Sequence, residues 1–389
     1  MPIQQTQTAQ HTAHERAPAP QADTDFEARF EALKELDWRG FMAELQALRS
    51  EIDAQLGPED LAHLRKIENW GHLATALGLL TAGLGPNLLS MAGLSLGRTT
   101  RWLLMHHIGH RGYDRVPGVP KRYTSRFFGR GWRRWVDWPD WMTPESWNYE
   151  HNILHHTHTG QVADPDLLER NTEKIRHSNL PLPLRQALML GLGLVWKPVY
   201  YAPSNIHAIH THQAKGPQGD YTLDREGILE LILDGYLPYA LLQFVLLPSL
   251  FLPAGLWATY SALINSLGAE LLANFHSFLV VGPNHTGDDI PRFERKPANK
   301  AERMLHQITG SVNYTCGNDL IDFLQFWLNY QIEHHIWPDL PMLRYGQVQP
   351  KVKALCEKYG VPYLQEDVFK RFGKMLDVTT GQSDMPVIR

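Results

Sequence analysis

Cysteine is nearly absent from this chain. Its 389 residues include two, Cys316 and Cys356, far apart and in no CxxC arrangement. That excludes a disulfide framework and a built-in iron–sulfur or rubredoxin-type centre, and it fits a reducing compartment. A dominant charge is missing too: the formal net charge is -4, which argues neither for nor against a polyanionic partner. The start of the chain lacks both the charged opening and the apolar block of a secretory signal. Residues 1–25, rich in Gln, Thr, Ala, Pro and His, are therefore expected to form a disordered tail, and His11 and His14 to carry no metal role. No fixed-period repeat is present. Charged residues themselves are absent from two long runs, 69–97 and 236–269.

Those two runs frame the architecture. One helical span needs about 20 apolar residues and two need about 40. Residues 69–97 read as one span, or as a tight pair shortened at Gly85-Pro86; a buried hairpin in a soluble protein is the competing reading. Residues 236–269 read as two spans turning between Pro248 and Gly255, the second extending past Glu270 to Val281. Residues 186–196 are apolar but too short to span, as in an interfacial or re-entrant helix. Between 98 and 134 Arg and Lys face a single acid, Asp114, and cations beside an uncharged run mark the cytosolic side. Trp102, Trp132, Trp135, Trp138 and Trp141 are interleaved there or just beyond. Such rings can stack on bases, but beside a span they suit the headgroup layer, so a lipid bilayer and no nucleic acid is expected. Apolar residues recur at helical spacing from Phe26 to Ile52, giving amphipathic cytosolic or interfacial helices over 26–68. Residues 69–341 form the membrane domain and 342–389 a cytosolic cap.

The chain has 20 histidines, and their clustering needs explanation. His106, His107 and His110 form one cluster; His151, His155 and His156 a second; His334 and His335, with Gln331 before them, a third. Residues four apart share a helix face, whereas adjacent residues diverge by about 100°. Adjacent histidines therefore suit two ions side by side better than one. A single such cluster is more often a solvated face than a ligand set. Three of them, each beside an uncharged run on one inferred side, point to metal. Neutral imidazole suits iron, copper, nickel and zinc, and histidine near lipid is costly unless ligated. His207, His210 and His212 read instead as a surface cluster. A ligating ring needs its other nitrogen fixed, and Asp164, Asp166, Asp319 and Asp322 are candidates for that role, with Asp114 nearby. For Glu150 and Glu333, surface solubility is the plainer reading.

In order, HxxxH, HxxxHH and QxxHH resemble the membrane fatty acid desaturases, a non-haem diiron family. The third stretch resembles the subgroup whose box opens with Gln, and Asn284-His285 is similar to that family's extra histidine between the second and third boxes. The resemblance covers about 69–341. It implies an all-α integral membrane protein whose transmembrane helices bear a cytosolic helical cap carrying a histidine-rich diiron site. It implies two Fe ions, O2 as co-substrate and a fatty acyl substrate, lipid-linked or CoA-linked. The implied ligands are His106, His110, His151, His155, His156, His285, His334 and His335. Gln331 stands near the metal, His107 and His158 are extra within their boxes, and His276 competes with His285. No haem-binding His-Pro-Gly-Gly is present, so a fused cytochrome b5 domain is not expected and electrons come from an external ferredoxin or cytochrome b5 type donor. The boxes and both termini are expected on the cytosolic side. Arg133 and Arg134 would help to hold an acyl headgroup or an acidic donor.

Two other functions compete. A diiron hydroxylase or ketolase of alkyl, sterol or carotenoid substrates would carry the same boxes, because they do not fix the fate of the substrate radical. A histidine-rich membrane metal transporter would place ionisable residues at mid-depth in its spans, and 236–269 holds no histidine.

Overall fold

The N-terminal periodicity becomes two helices, α1 (Gln21–Leu33) and α2 (Trp38–Ala54). The Asp37 side chain accepts the Gly40 amide and so starts α2, which buries Trp38, Phe41, Leu45, Leu48 and Ile52 along one stripe. The computed structural model describes residues 21–215 and 223–389, with side chains over 25–210 and 223–389. Most of the tail read over 1–25, with His11 and His14, and the His212 side chain lie outside the described residues.

The first uncharged run is a helical hairpin. The helix α3 (Pro58–Ala82) turns at Gly85, whose φ is 138°, into α4 (Leu88–Gly109). Glycine sets how closely the two approach. A Cβ on Gly78 would lie 2.7 Å from the Leu94 nitrogen, and one on Gly93 would lie 2.6 Å from the Ala74 oxygen. Small residues allow such backbone-to-backbone packing. Gly93→Val is therefore expected to destabilise the fold by about 1–3 kcal/mol, the usual cost of overpacking. Thermal unfolding of the purified protein checks this; an unchanged midpoint would mean that the contact is slack.

After several short turns come the longer helices α5 (Leu182–Gly193), α6 (Ala202–Lys215), α7 (Arg225–Ala254) and α8 (Leu256–Val281). α7 contains π-helical stretches at Leu231–Tyr236 and Leu242–Leu246. It turns into α8 at Gly255, whose φ of 102° suits glycine, where the sequence placed the turn. Among the described residues, two helices are long and apolar enough to cross a membrane, by length and composition: Arg225–Ala254 and Leu256–His285. The two hairpins are stitched together at their tips. Asn265 of α8 is fully buried; its side chain donates to the Ala82 and Gly85 carbonyls at 2.9 Å and accepts the Asn87 amide at 2.8 Å. Large apolar side chains nevertheless point outward at both tips: Leu80, Leu84 and Leu88 on one, Leu250, Leu256 and Trp257 on the other.

The remaining chain caps the opposite end of α4. It contains α9 (Lys300–Thr309), α10 (Gln331–Ile336), α11 (Met342–Tyr359) and α12 (Val368–Thr379). Two buried arginines fasten it. Arg344 ties α11 to the start of α3 through Asp60 at 2.6 and 2.7 Å, and Arg371 ties α12 to Asp289 at 2.6 and 2.8 Å. The fold is helical but for a short parallel pair, Arg292–Phe293 with Val387–Ile388.

Candidate metal centre

The histidines sit on helical turns of two kinds. His106 lies in the last turn of α4 and His110 caps it, its amide 3.1 Å from the His106 carbonyl. A regular α turn thus keeps these two on one face. The second cluster differs from the α-helical reading, because Asn148–His155 is π-helical. A π turn repeats at i+5 rather than i+4, and along it the His151 and His155 rings stack with centroids 5.1 Å apart. His151 joins His106, His110 and His334, whereas His155 joins His285 and His335; within each group the ligand nitrogens lie within 4.8 Å of one another. α10 sends its adjacent histidines to different groups, as a divergence of about 100° requires. His156 stands between the groups, its ring centroid 4.5 Å from that of His110, 5.0 Å from His334 and 4.4 Å from His335.

Several rings are held from outside. His155 Nδ1 pairs with Asp164 Oδ1 at 2.9 Å, and the same carboxylate accepts the Gly160 and Asp166 amides at 2.8 and 2.9 Å. His285 Nδ1 donates to the Gly310 carbonyl at 2.7 Å, and His335 Nδ1 to Gln307 Oε1 at 2.7 Å. His334 Nδ1 meets the Tyr345 hydroxyl at 3.2 Å. These partners occupy Nδ1 and leave Nε2 for the interior. There, His110 Nε2, both nitrogens of His151, His156 Nε2 and His335 Nε2 are buried without a hydrogen bond, and His106 Nε2 faces His334 Nε2 at 3.1 Å. A buried polar atom left unsatisfied costs about 1–3 kcal/mol. Transition-metal cations seated among these nitrogens would remove that cost, so the residues present fit a metal site.

Electrostatics agree. Burial, reinforced by neighbouring imidazoles, holds His151, His156, His334 and His335 well below the ordinary histidine range. These rings are neutral at neutral pH, the form that binds metal. At His155 burial opposes the charge, but Asp164 and then Asp166 outweigh it, and the pKa is raised.

Other expected site residues fall elsewhere. Asp166 Oδ2 lies 3.8 Å from His155 Nδ1 and can group with His151 and His155. Asp319 instead pairs with Lys66 and sits 3.5 Å from His63, and Asp322 accepts from Asn329 at 2.6 Å and Tyr330 at 2.9 Å. Neither belongs to a histidine group. Asp114 accepts from Ser125. His107 Nε2 is 3.0 Å from the Phe326 carbonyl and His276 Nε2 is 2.6 Å from the Leu324 carbonyl, so both rings tie helices to that turn. His158 Nδ1 lies 3.4 Å from Gln161 Oε1 and joins neither group. Gln331 does lie at the site: its amide nitrogen is 2.9 Å from His285 Nε2, and its oxygen accepts from Asn284 at 2.9 Å. His210 pairs with Glu230 at 2.8 Å, apart from the centre.

Three surface expectations are corrected. Glu150 and Glu333 are fully buried. Glu333 accepts from Asn313 at 2.8 Å and Tyr363 at 2.7 Å, anchoring α10 from below, and burial lifts its pKa to about 7. The basic stretch is largely paired within the protein: Arg98 with Glu270 at 3.0 Å, Arg101 and Arg122 with Glu68 at 3.3 and 2.7 Å, and Arg133 with Asp137 at 2.7 Å. Arg134 is buried and donates to the Met142 carbonyl at 3.0 Å. Arg133 and Arg134 are therefore occupied. Gln307, Tyr345 and the Gly310 carbonyl were not anticipated, because each comes from an element remote in sequence from the ring it holds.

A narrow cavity of about 100 Å³ opens beside the rings. Trp102, Met189, Leu192, Trp196, Phe278 and Val281 form its apolar wall, and His106, His151, His155 and His285 face it.

Known proteins resemble this chain over the same region. A family model described as fatty acid desaturase matches residues 81–367. The NADPH-dependent stearoyl-CoA 9-desaturase of Mycobacterium tuberculosis is 25% identical over 358 residues, which cover 89% of this chain and 80% of that protein. The acyl-lipid (8-3)-desaturase of Thraustochytrium sp is 24% identical over 358 residues, covering 87% of this chain and 73% of that protein. The sn-1 linoleoyl-lipid 6-desaturase of Arthrospira platensis is 22% identical over 250 residues, covering 61% of this chain and 66% of that protein.

Proposed function

Because the chain belongs to the fatty acid desaturase family, we propose that its two histidine groups hold two irons, with which the enzyme uses O2 to place a double bond in an acyl chain. His106, His110, His151 and His334 would hold one iron, His155, His285 and His335 the other, and His156 stands where it can reach either. The observation carrying this reading is the set of buried, neutral, partnerless nitrogens beside an apolar cavity.

An alkyl C–H bond is beyond the reach of any acid or base side chain, and the iron pair with O2 supplies the needed oxidising power when bound. The protein's own residues do the positioning. Asp164, Gln307, Tyr345 and the Gly310 carbonyl orient four of the rings. The walls formed by Trp102, Trp196 and Phe278 lay an acyl chain along the histidines and keep water from it. The relatives' names include both CoA-linked and lipid-linked substrates, so either linkage is open to this enzyme.

We read α7 and α8 as crossing the bilayer with the α3–α4 hairpin beside them. The outward leucines at both tips support this, since water-facing patches of that kind are rare in soluble monomers. The histidines lie at the far end of α4 from its tip, near the basic stretch, which favours the cytosolic side for them and for the termini. Electrons would come from a separate protein.

Expression in a host of known lipid composition, followed by mass spectrometry of its fatty acids, tests the reaction. One new double bond at a fixed position is expected. A hydroxylated or keto product, or no product alongside altered metal flux, would overturn the reading.

A further inference from the structure

A second opening reaches the histidines from another side. It is a depression of about 600 Å³ lined by Met42 of α2, the loop from Pro297 to Lys300, and Arg303, Met304 and Gln307 of α9. His156 and His335 also line it. It shares no ring with the apolar cavity, which is faced by His106, His151, His155 and His285. The metal pair would therefore have two approaches, separated by the rings themselves.

The second approach has a cationic rim. Lys300 and Arg303 are exposed. The acid between them, Glu302, turns inward to Arg295 at 2.7 Å and Lys34 at 3.4 Å. Among the described residues no carboxylate lies within 4.0 Å of either Lys300 or Arg303. Arg39, one turn before Met42 on α2, and Lys296 are exposed in the same way. This contrasts with Arg98, Arg101, Arg122 and Arg133, whose charges are met inside the protein.

We propose that this opening is the docking face for an acidic, one-electron carrier protein, with His335 and His156 as the rings nearest the carrier. The inference rests on the diiron desaturase reading. Converting CH2–CH2 to CH=CH releases two electrons and two protons. Reducing O2 to two waters consumes four of each. The other two electrons come from two carrier molecules, each oxidised once, and the other two protons from solvent. A carrier must therefore reach the centre during each turnover without displacing the acyl chain, which requires a face separate from the cavity. Unpaired cations steer an acidic partner, and electron-transfer encounters use small interfaces of under about 1,200 Å². The anionic head of a CoA-linked substrate is the other ligand the rim's charge would suit. It is disfavoured because the rings separate the rim from the acyl cavity.

The test measures binding of two acidic probes, a plant-type [2Fe–2S] ferredoxin and soluble cytochrome b5, to the iron-loaded protein in nanodiscs at low and high salt. At least one should bind with an affinity that falls with salt. The double variant Lys300→Glu/Arg303→Glu should raise Kd about tenfold or more and flatten the salt dependence. Its iron content and its kcat at saturating carrier should be unchanged, while KM for the carrier rises. Glutamate at the first turn of α9 also suits the helix dipole, so this variant should fold. Lys121→Glu/Arg126→Glu, which reverses exposed cations away from the opening, should leave Kd unchanged. The proposal falls if neither probe binds in a salt-dependent way, if the first variant leaves Kd unchanged, if the second matches it, or if free coenzyme A displaces the carrier. Salt-dependent binding with no desaturated product at saturating carrier would instead condemn the functional reading and leave the docking face standing.

Discussion

His335→Ala should abolish the desaturated product and leave one of the two irons in place. His335 groups with His155 and His285, so its loss leaves that set with two nitrogens, while His106, His110, His151 and His334 stay complete. His334→Ala should do the converse, stripping the other iron and sparing the second set. Removing only the outer partner of a ligand costs about 10–100-fold in affinity or activity, so losing a ligand outright should cost more. Iron per chain and fatty acid composition, measured on both variants, decide the matter. Product retained in either variant would remove that residue from the ligand set. Loss of both irons from each would mean that the adjacent histidines serve a single shared centre.

Asp164→Asn should lower iron affinity or activity about 10–100-fold without unfolding the protein. Asp164 is buried and accepts from His155 Nδ1 and from the amides of Gly160 and Asp166. Asparagine keeps the shape but has one acceptor oxygen in place of two and no charge, so it can no longer hold both the ring and the loop as before. The ring is then free to turn, and its Nε2 no longer points reliably inward. Asp319→Asn is the informative control, because spacing alone offered both aspartates for the same role. Asp319 is paired with Lys66 outside the histidine groups, and its loss should leave iron affinity and product unchanged. Iron transfer to a competing chelator, followed in both variants, makes the comparison. Equal effects would refute the assignment of Asp164 as the residue that positions His155.

What could be read in advance follows from what is local. The turn between α3 and α4 at Gly85 and that between α7 and α8 at Gly255 were visible because glycine, proline and missing charge punctuate the chain there. The separation of His334 from His335 was visible because adjacent helical residues must diverge. The π-helical backbone of Asn148–His155 was not, since nothing in residue spacing distinguishes an i+5 from an i+4 ladder. Glu150 and Glu333 looked like solvated charges because their burial depends on which elements close over them. Glu333 is satisfied by Asn313 and Tyr363, neither of them near it in sequence. Arg133 and Arg134 looked available for a partner, yet close neighbours, Asp137 and the Met142 carbonyl, take them up.

The most direct measurement is the metal content of the wild-type enzyme, purified after expression with ample iron, together with X-ray absorption at the iron edge. Two irons per chain in a nitrogen-rich environment are predicted. One iron per chain would contradict a centre built from two histidine groups, and full desaturase activity with zinc in both places would contradict iron as its metal.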